Sequence, residues 1–535
     1  MSDWSKRFLE RKHIGNTALQ YQRMIQVEVA KLFFKGNFVE QINSVPRKFA
    51  PHREDSIRCC AFKEHEILKN RVMSSLGFIM NDTVDNWTTL SEYAKKALDR
   101  KEIEEPIFGI MDIACEHCVK KNFLVTDACA GCLGKPCLNG CPVGAITITK
   151  NAKAKINEHE CISCGKCVIA CPWNAIIKVS IPCEESCPVK AIHRNKQGKQ
   201  VIDYSKCVYC GNCINACMFL AFDRSDKNQI NNHPDPIQDN LFFKFQGFST
   251  LRNDPVQKSQ IIDVLKNFHN KEKKTVALIA PSLYSQFPKA NLNQIVESLK
   301  KLGFDKVVEV AIGAEETTKH EAQEFLEVKD FMTTSCCWSF FEMIHKHIPC
   351  LKDKISKTPT PMHITGELVR EKIPNSINVF ISPCMSKRQE SLYDDYIDYV
   401  LTFEELAALL VARDIDPNKM PKKGVPDLLF GEAHQEGRGF PITGGVVGAI
   451  SSLIGDKKEI RLVKFEGLSR SVRNELYQFC EGKRDENLIE IMACRGGCIA
   501  GPNVINKKIS KSKRDIKKLK QNSKSIQNIN EKDEN

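Results

Sequence analysis

Two runs of four cysteines fix what this chain can fold around. Cys161, Cys164, Cys167 and Cys171 lie in CISCGKCVIACP, and Cys207, Cys210, Cys213 and Cys217 in CVYCGNCINACM. Both have the spacing C-x2-C-x2-C-x3-C. Three thiolates so spaced wrap one face of a cubane, and the fourth points away to a neighbouring cluster. Gly165 and Gly211 let each loop turn closely around its cluster. Zinc would want closed tetrahedral sets, usually two C-x2-C pairs at wider separation. The spacing therefore predicts [4Fe–4S] clusters.

Partial runs flank these two. CAGCLGKPCLNGCPVGAI carries Cys129, Cys132, Cys137 and Cys141, CEESCPVKAI carries Cys183 and Cys187, and CEHC carries Cys115 and Cys118. The endings CPVGAI, CPWNAI and CPVKAI repeat one fourth-ligand turn. Sixteen cysteines between Cys115 and Cys217 would ligate up to four cubanes. Crossed pairing gives Cys129, Cys132 and Cys137 with Cys171, Cys161, Cys164 and Cys167 with Cys141, and Cys207, Cys210 and Cys213 with Cys187. Cys115, Cys118, Cys183 and Cys217 are left for a fourth cluster. Residues 111–225 thus read as ferredoxin-like α+β cluster domains, a wire for electrons.

The whole chain has 25 cysteines, an odd number, so complete pairing as disulfides within one chain is excluded. The N-terminus MSDWSKRFLERKHIGN lacks an apolar core, and Asp3 and Glu10 interrupt its basic residues, so neither a secretory nor a mitochondrial leader is read there. No apolar run approaches the roughly 18 residues that would span a bilayer. The expectation is a cytoplasmic protein in a reducing compartment, where clustered thiolates hold soft metals. The net charge of +12 owes much to the tail NKKISKSKRDIKKLKQNSKSIQNINEKDEN. Without aromatics or apolar periodicity, residues 506–535 read as a basic disordered tail, and not as a nucleic-acid arm.

Elsewhere the pattern changes. TALQYQRMIQVEVAKLFF and KEHEILKNRVMSSLGFIM have helical apolar spacing, so residues 1–110 read as an N-terminal helical region of unassigned role. Cys59 and Cys60 fall there as incidental thiols. The polar stretch NQINNHPDPIQDN marks a linker over 226–270. From 271 to 505, TVALIAPS, KVVEVAIG and INVFISPC read as buried strands. They alternate with helices such as NLNQIVESLKKLG and TFEELAALLVARD, which predicts an α/β domain. No strand–GxGxxG–helix unit appears, which argues against a nicotinamide nucleotide as direct donor.

Three short cysteine motifs punctuate that domain: TSCCWSF with Cys336 and Cys337, SPCMSKRQE with Cys384, and MACRGGCIAGP with Cys494 and Cys498. One cysteine from the first, one from the second and two from the third make four ligands for a cluster buried between lobes. One of the adjacent pair is then left as a free thiol beside a metal centre, available for proton transfer. Cys350 and Cys480 read as plain buried cysteines.

These segments resemble the signature motifs TSCCP, PCxxKxxE and MACxGGC of the iron-only, or [FeFe], hydrogenases. The resemblance covers roughly residues 111–505 and points to a divergent, multi-cluster subgroup with a two-lobed catalytic domain. It implies that Cys337, Cys384, Cys494 and Cys498 hold the [4Fe–4S] part of the H-cluster. Cys498 would also bridge to a two-iron subsite carrying CO, cyanide and a dithiolate amine. It assigns Cys336 as the proton-relaying thiol and Lys387 as the cation beside a cyanide. Ala280, Pro281 and Ser282 would line the same pocket, Ser282 as a donor to the other cyanide, with Met492 packed on the cofactor. Glu321, Glu324 and Ser356 would carry protons outward. Trp338, Ser382 and Arg495 depart from the residues usual at their places.

What the resemblance implies is reversible reduction of protons to H2 with electrons from reduced ferredoxin, in anaerobic metabolism and after loading by hydrogenase maturation proteins. Two other readings stay open. One is a non-enzymatic hydrogenase-like iron–sulfur carrier of cytosolic cluster assembly, which typically has one cysteine in the first motif. The other is a slow H2-sensing homologue.

Overall fold

The computed structural model describes residues 2–10, 17–49, 61–79, 85, 87–111, 113–114, 123–157, 160–179, 181–195, 199–216, 255–268, 272–287, 289–422, 426–427 and 429–526. Cys59, Cys60, Cys115, Cys118 and Cys217 lie outside the described residues, so of the four cysteines expected for a fourth cluster only Cys183 is described.

Two parallel sheets organise the region from 272 onward. The first has four strands, in the order Lys306–Glu309, Thr275–Ile279, Ile377–Ser382, Tyr399–Thr402, all parallel. The second has three, with Leu488–Met492 between Met332–Thr333 and Leu462–Glu466, again parallel. Strands such as TVALI and INVFIS are buried along their whole length. That is the signature of parallel strands covered on both faces. The helices Leu292–Leu302, Ala311–Glu327, Pro361–Lys372 and Phe403–Ala412 fill the crossovers. Two of them start at capping boxes, Asn291 with Gln294 and Thr402 with Glu405, which satisfy backbone donors that the first turn leaves free. The α/β reading and its two lobes are what the chain forms.

The cysteine-rich region forms small α+β units. Phe123–Val125 pairs antiparallel with Ile176–Lys178, and Ile146–Ile148 with Ala154–Ile156. Phe123, Ile146 and Ile176 give this unit its own core. The next hairpin, Ile192–Arg194 with Gln200–Ile202, behaves differently. Its core, through Val208, Tyr209 and Cys213, is continuous with Phe340, Met343 and Met385 of the region from 272 onward.

Three expectations need correction. The linker does not run to 270. Pro255–Gln257 pairs with Phe108–Ile110, and the following helix Ile261–Leu265 is buried. The apolar run IIDVL supplies a core segment that the polar stretch before it obscures. The tail is not disordered from 506. Ile509–Gln521 is a helix, with Ser512 and Ile516 fully buried. Ile516 packs on Ile442 and Ile499, so a stripe too narrow to signal a helix alone is fixed by tertiary contact. Cys350 and Cys480 are not plain buried thiols but a disulfide joining residues 130 apart in sequence.

The N-terminal helices share one core with the first sheet. Thr17–Phe34 lies against Phe403–Ala412. There, Arg23 meets Glu404 through two bonds of 2.7 Å, a fork that matches the carboxylate's geometry.

Candidate metal centre

In parallel sheets ligands gather beyond the carboxyl ends of strands. Here the C-terminal ends of strands from both sheets carry the chemistry-bearing segments. Ala280–Ser282 follow the strand Thr275–Ile279, and Cys384 and Lys387 follow Ile377–Ser382. From the other sheet, Cys336 and Cys337 follow Met332–Thr333, and Cys494 and Cys498 follow Leu488–Met492, which ends on the buried Met492.

The four thiols Cys337, Cys384, Cys494 and Cys498 face one another. Burial pushes the Cys498 thiol up to about 12, and Cys384 and Cys337 add to that shift. Cys494 is raised well above the usual thiol range by burial, then by Cys384, Cys498 and Cys337. Cys337 is raised by burial and by Cys384, against a lowering from Lys387. Cys337, Cys494 and Cys498, which burial and the neighbouring thiols hold protonated, make a poor resting state. Iron, which takes soft thiolates, would replace the protons. Among the described residues no three Cys, His, Asp or Glu side chains converge as ligands of one metal ion. A cubane asks for something else, since each corner iron takes one thiolate and the ligands spread around it.

The backbone fits the same group. Gly497 has φ of 89°, and a Cβ there would sit 2.5 Å from the Pro441 carbonyl oxygen. The turn between Cys494 and Cys498 therefore needs its glycine. Cys384 N–H donates to Ser382 Oγ at 3.2 Å, so the serine at this unusual place braces the cysteine turn. Trp338, a second departure, stacks on Phe341 at 4.7 Å between ring centroids. Gly496 N–H donates to Glu466, next to Arg495, whose side chain packs over Gly467.

Lys387 and Ser282 are buried beside this set. The Lys387 Nζ lies 2.6 Å from Glu390 Oε2. Burial opposes the charge, but Glu390, Cys384 and Cys336 outweigh it and raise the ammonium's pKa. Ser282 Oγ is buried with no hydrogen-bond partner among the described residues, an orphan donor aimed at a group that would satisfy it.

Cys336 stands apart from the four. Burial raises it well above the thiol range, and the next cause is Glu321. Glu321 and Glu324 are three residues apart on the helix Ala311–Glu327, hence on one face. Glu321 Oε1 accepts from Ser335 N–H at 2.8 Å and Ser335 Oγ at 3.1 Å, while its buried Oε2 has no partner among the described residues. Burial pushes this carboxyl up to about 7. Ser356 Oγ donates to Glu324 Oε2 at 2.6 Å, and Ser356 N–H is held by the Thr333 carbonyl at 2.8 Å. Glu324 is only half-buried. The structure thus brings Cys336, Glu321, Ser356 and Glu324 into one series from buried thiol to surface.

Sequence reading missed three partners. Glu390 was visible at the end of PCMSKRQE, three residues from Lys387. Glu490 is fully buried and accepts from Gly444 N–H at 2.6 Å and Val447 N–H at 3.0 Å. Ser335 gave no signal beyond standing before the cysteine pair.

The accessory cysteines gather as sets. Cys129, Cys132, Cys137 and Cys171 line one pocket, and Cys141, Cys161, Cys164 and Cys167 another. Gly165 and Gly211 have φ of 77° and 74°. The Cys213 thiol is raised by burial, then by Cys210, Cys207, Cys187 and Cys183 in turn. This last set touches the loop that carries Cys494 and Cys498. Cys210 acts on Cys494, and a Cβ at Gly211 would sit 2.8 Å from Pro502 Cγ.

A parallel-sheet pair with a buried four-thiol set, joined to cubane-spaced cysteine loops, has the ligands of an iron–sulfur protein. Residues 273–502 match the model of the iron only hydrogenase large subunit, C-terminal domain, and residues 128–175 that of a 4Fe-4S dicluster domain. Over residues 273–502 the chain thus carries the C-terminal domain of the iron-only hydrogenase large subunit, preceded by a 4Fe-4S dicluster domain. It is 27% identical over 325 residues to iron hydrogenase 1 of Clostridium pasteurianum, covering 49% of this chain and 56% of that one. It is 30% identical over 150 residues to the cytosolic Fe–S cluster assembly factor NAR1 of Yarrowia lipolytica, 23% of this chain and 30% of that one. The chain thus spans about half the length, or less, of these curated relatives. Among solved structures it is similar to the [FeFe]-hydrogenase HydA1 from Chlamydomonas reinhardtii, with TM-score 0.41 and 18% identity over 48% of this chain and 88% of that one. Among the described residues no helix is long and apolar enough to cross a membrane.

Proposed function

We propose that the chain is an [FeFe]-hydrogenase that interconverts two protons plus two electrons with H2, drawing electrons from reduced ferredoxin. The observation that carries this reading is the fifth thiol. Cys336 lies beside a set of four that already suffices for a cubane, and it is coupled to the buried Glu321. A cluster carrier has no use for a protonatable relay at that place.

Cys337, Cys384, Cys494 and Cys498 would hold the [4Fe–4S] part of the H-cluster, with Cys498 shared with the two-iron subsite. When bound, that subsite supplies the open iron and amine at which protons and electrons combine. Lys387 Nζ and Ser282 Oγ would be the buried donors that hold it, and Ala280, Pro281 and Met492 would line its pocket. Cys336 Sγ holds a proton and passes it to the free Oε2 of Glu321. Ser356 Oγ and Glu324 continue the path outward. A carboxyl near 7 suits this work, because it both takes and gives a proton near neutral pH. The cysteine sets of the 123–178 unit and the set Cys187, Cys207, Cys210 and Cys213 would hold cubanes, which would supply electron transfer toward the site at Cys494. Ferredoxin potentials near about −400 mV are adequate for proton reduction near neutral pH. Maturation proteins are implied as loading partners, and the cytoplasm as location.

The test is infrared spectroscopy of the anaerobically matured protein, with H2 evolution from reduced methyl viologen. Bands of bound CO and cyanide together with turnover are expected. Their absence from protein whose cubanes are fully loaded would overturn the enzyme reading. It would favour the second one, an iron–sulfur carrier of cluster assembly, which the similarity to NAR1 supports.

A further inference from the structure

The helix Trp338–His347 begins immediately after Cys337 and ends on another cluster's loop. Its last turn grips the segment Tyr204–Tyr209. Lys346 Nζ donates to the Cys207 carbonyl at 2.8 Å and to the Tyr204 carbonyl at 3.3 Å. The same ammonium lies 5.2 Å from the centroid of the Tyr209 ring. His347 Nε2 is 2.8 Å from the Lys206 carbonyl oxygen. One turn back, Glu342 Oε2 lies 2.6 Å from Lys346 Nζ. A cation and an anion therefore sit together against the backbone of a cluster-ligating cysteine.

The surroundings make those charges count. Cys207, Tyr209 and Cys213 are buried, and Tyr204 is half-buried. Lys346 keeps 25% of its side chain in solvent and Glu342 14%, so each charge is partly screened by water on its outer side, while the cluster side that it faces is dry. One-electron reduction of a cubane adds one negative charge to it, and the reduced carrier supplies that electron. A fixed cation at the Cys207 carbonyl favours the reduced form, and a fixed anion opposes it. Net charge and hydrogen bonding around the sulfurs are what the protein uses to set such potentials.

We propose that Lys346, opposed by Glu342, sets the reduction potential of the cluster held by Cys187, Cys207, Cys210 and Cys213. This rests on the reading that those cysteines hold a cubane. Lys346 is a positioning residue for an electron. It raises the potential of the cluster that lies against the Cys494 loop, so that the second electron of a two-electron reaction waits next to the catalytic centre. Because the same helix starts at Cys337, the charge pair also ties the two metal sites into one rigid element.

The experiment is a potentiometric titration followed by electron paramagnetic resonance on the full chain, reconstituted anaerobically with iron and sulfide. The wave belonging to this cluster is the one that Cys210→Ala removes. Lys346→Gln is expected to move that wave to more negative potential, Glu342→Gln to more positive potential, and Lys346→Arg to leave it in place. The other waves stay where they are. If Lys346→Gln and Glu342→Gln both leave the wave unmoved, the inference is wrong. If Lys346→Arg shifts it as far as Lys346→Gln, Lys346 is only a structural tie and the inference is again wrong. If the reconstituted wild type has no wave that depends on Cys210, the cluster reading itself fails and takes the inference with it.

Discussion

Cys336 and Cys337 are neighbours in sequence with opposite electrostatic company. Cys337 answers to Cys384, a thiol of the buried set, whereas Cys336 answers first to Glu321. The two should therefore fail differently. Cys337→Ser replaces a soft ligand by a hard one, and the catalytic cubane should be lost or altered. Cys336→Ala should keep the cubane and lower H2 evolution by about 10²–10⁴-fold, the usual worth of a positioned proton carrier. Iron analysis and infrared spectra of the two variants check this, and full turnover in Cys336→Ala would sink the relay. Lys387→Asn should leave the cubane but weaken retention of the two-iron subsite, read as loss of CO and cyanide bands. Glu321 adds a pH dependence. Its pKa is raised to about 7 in the folded protein, from 4.5. The folded chain thus holds a proton that the unfolded chain releases between those values, and stability falls as pH rises through about 7. Urea unfolding across that range should show the decline in the wild type and a flatter profile in Glu321→Gln. Much of this site was legible because the cysteine motifs carry their own spacing. The Cys350–Cys480 bridge was not, because 130 residues separate its halves and only tertiary folding brings them together.

Elements decide which residues become neighbours. The strand-then-loop order of TVALIAPS and INVFISPC was readable from sequence, because fully apolar parallel strands end abruptly at the residues that do chemistry. The C-terminal helix was hidden. Its lysines dominate the composition, and a narrow stripe of Ile509, Ser512, Ile516 and Leu519 marks the inward side. In the fold it packs on Pro281–Gln286 and on Gln435–Gly439, and Asn506 Nδ2 donates to the Ser285 carbonyl at 3.0 Å. The helix thus braces the segment that carries Ser282. Ile516→Ala should cost about 2–5 kcal/mol, as expected for an Ile truncated in a closed core. Denaturant titration measures that cost. A change within error would mean that the helix is carried by its polar contacts alone.

Across the whole molecule, the cluster-bearing units differ in how they are attached. The 123–178 unit keeps a separate core, while the hairpin at 192–202 merges with the catalytic region. A chain built only to ferry one cluster would not need a separate two-cluster unit feeding a merged third site. Complete sets of four cysteines among the described residues number three outside the catalytic domain: Cys129 with Cys132, Cys137 and Cys171; Cys141 with Cys161, Cys164 and Cys167; Cys187 with Cys207, Cys210 and Cys213. At four irons per cubane, those sets and the catalytic one call for about 16 iron atoms per chain before any two-iron subsite is added. Cys115, Cys118, Cys183 and Cys217 would add about four more. Iron and sulfide analysis with a reductive titration of the reconstituted protein decides the count. A stoichiometry that leaves room for only one accessory cubane would break the wire, because the 123–178 unit could then pass no electron to the site at Cys494.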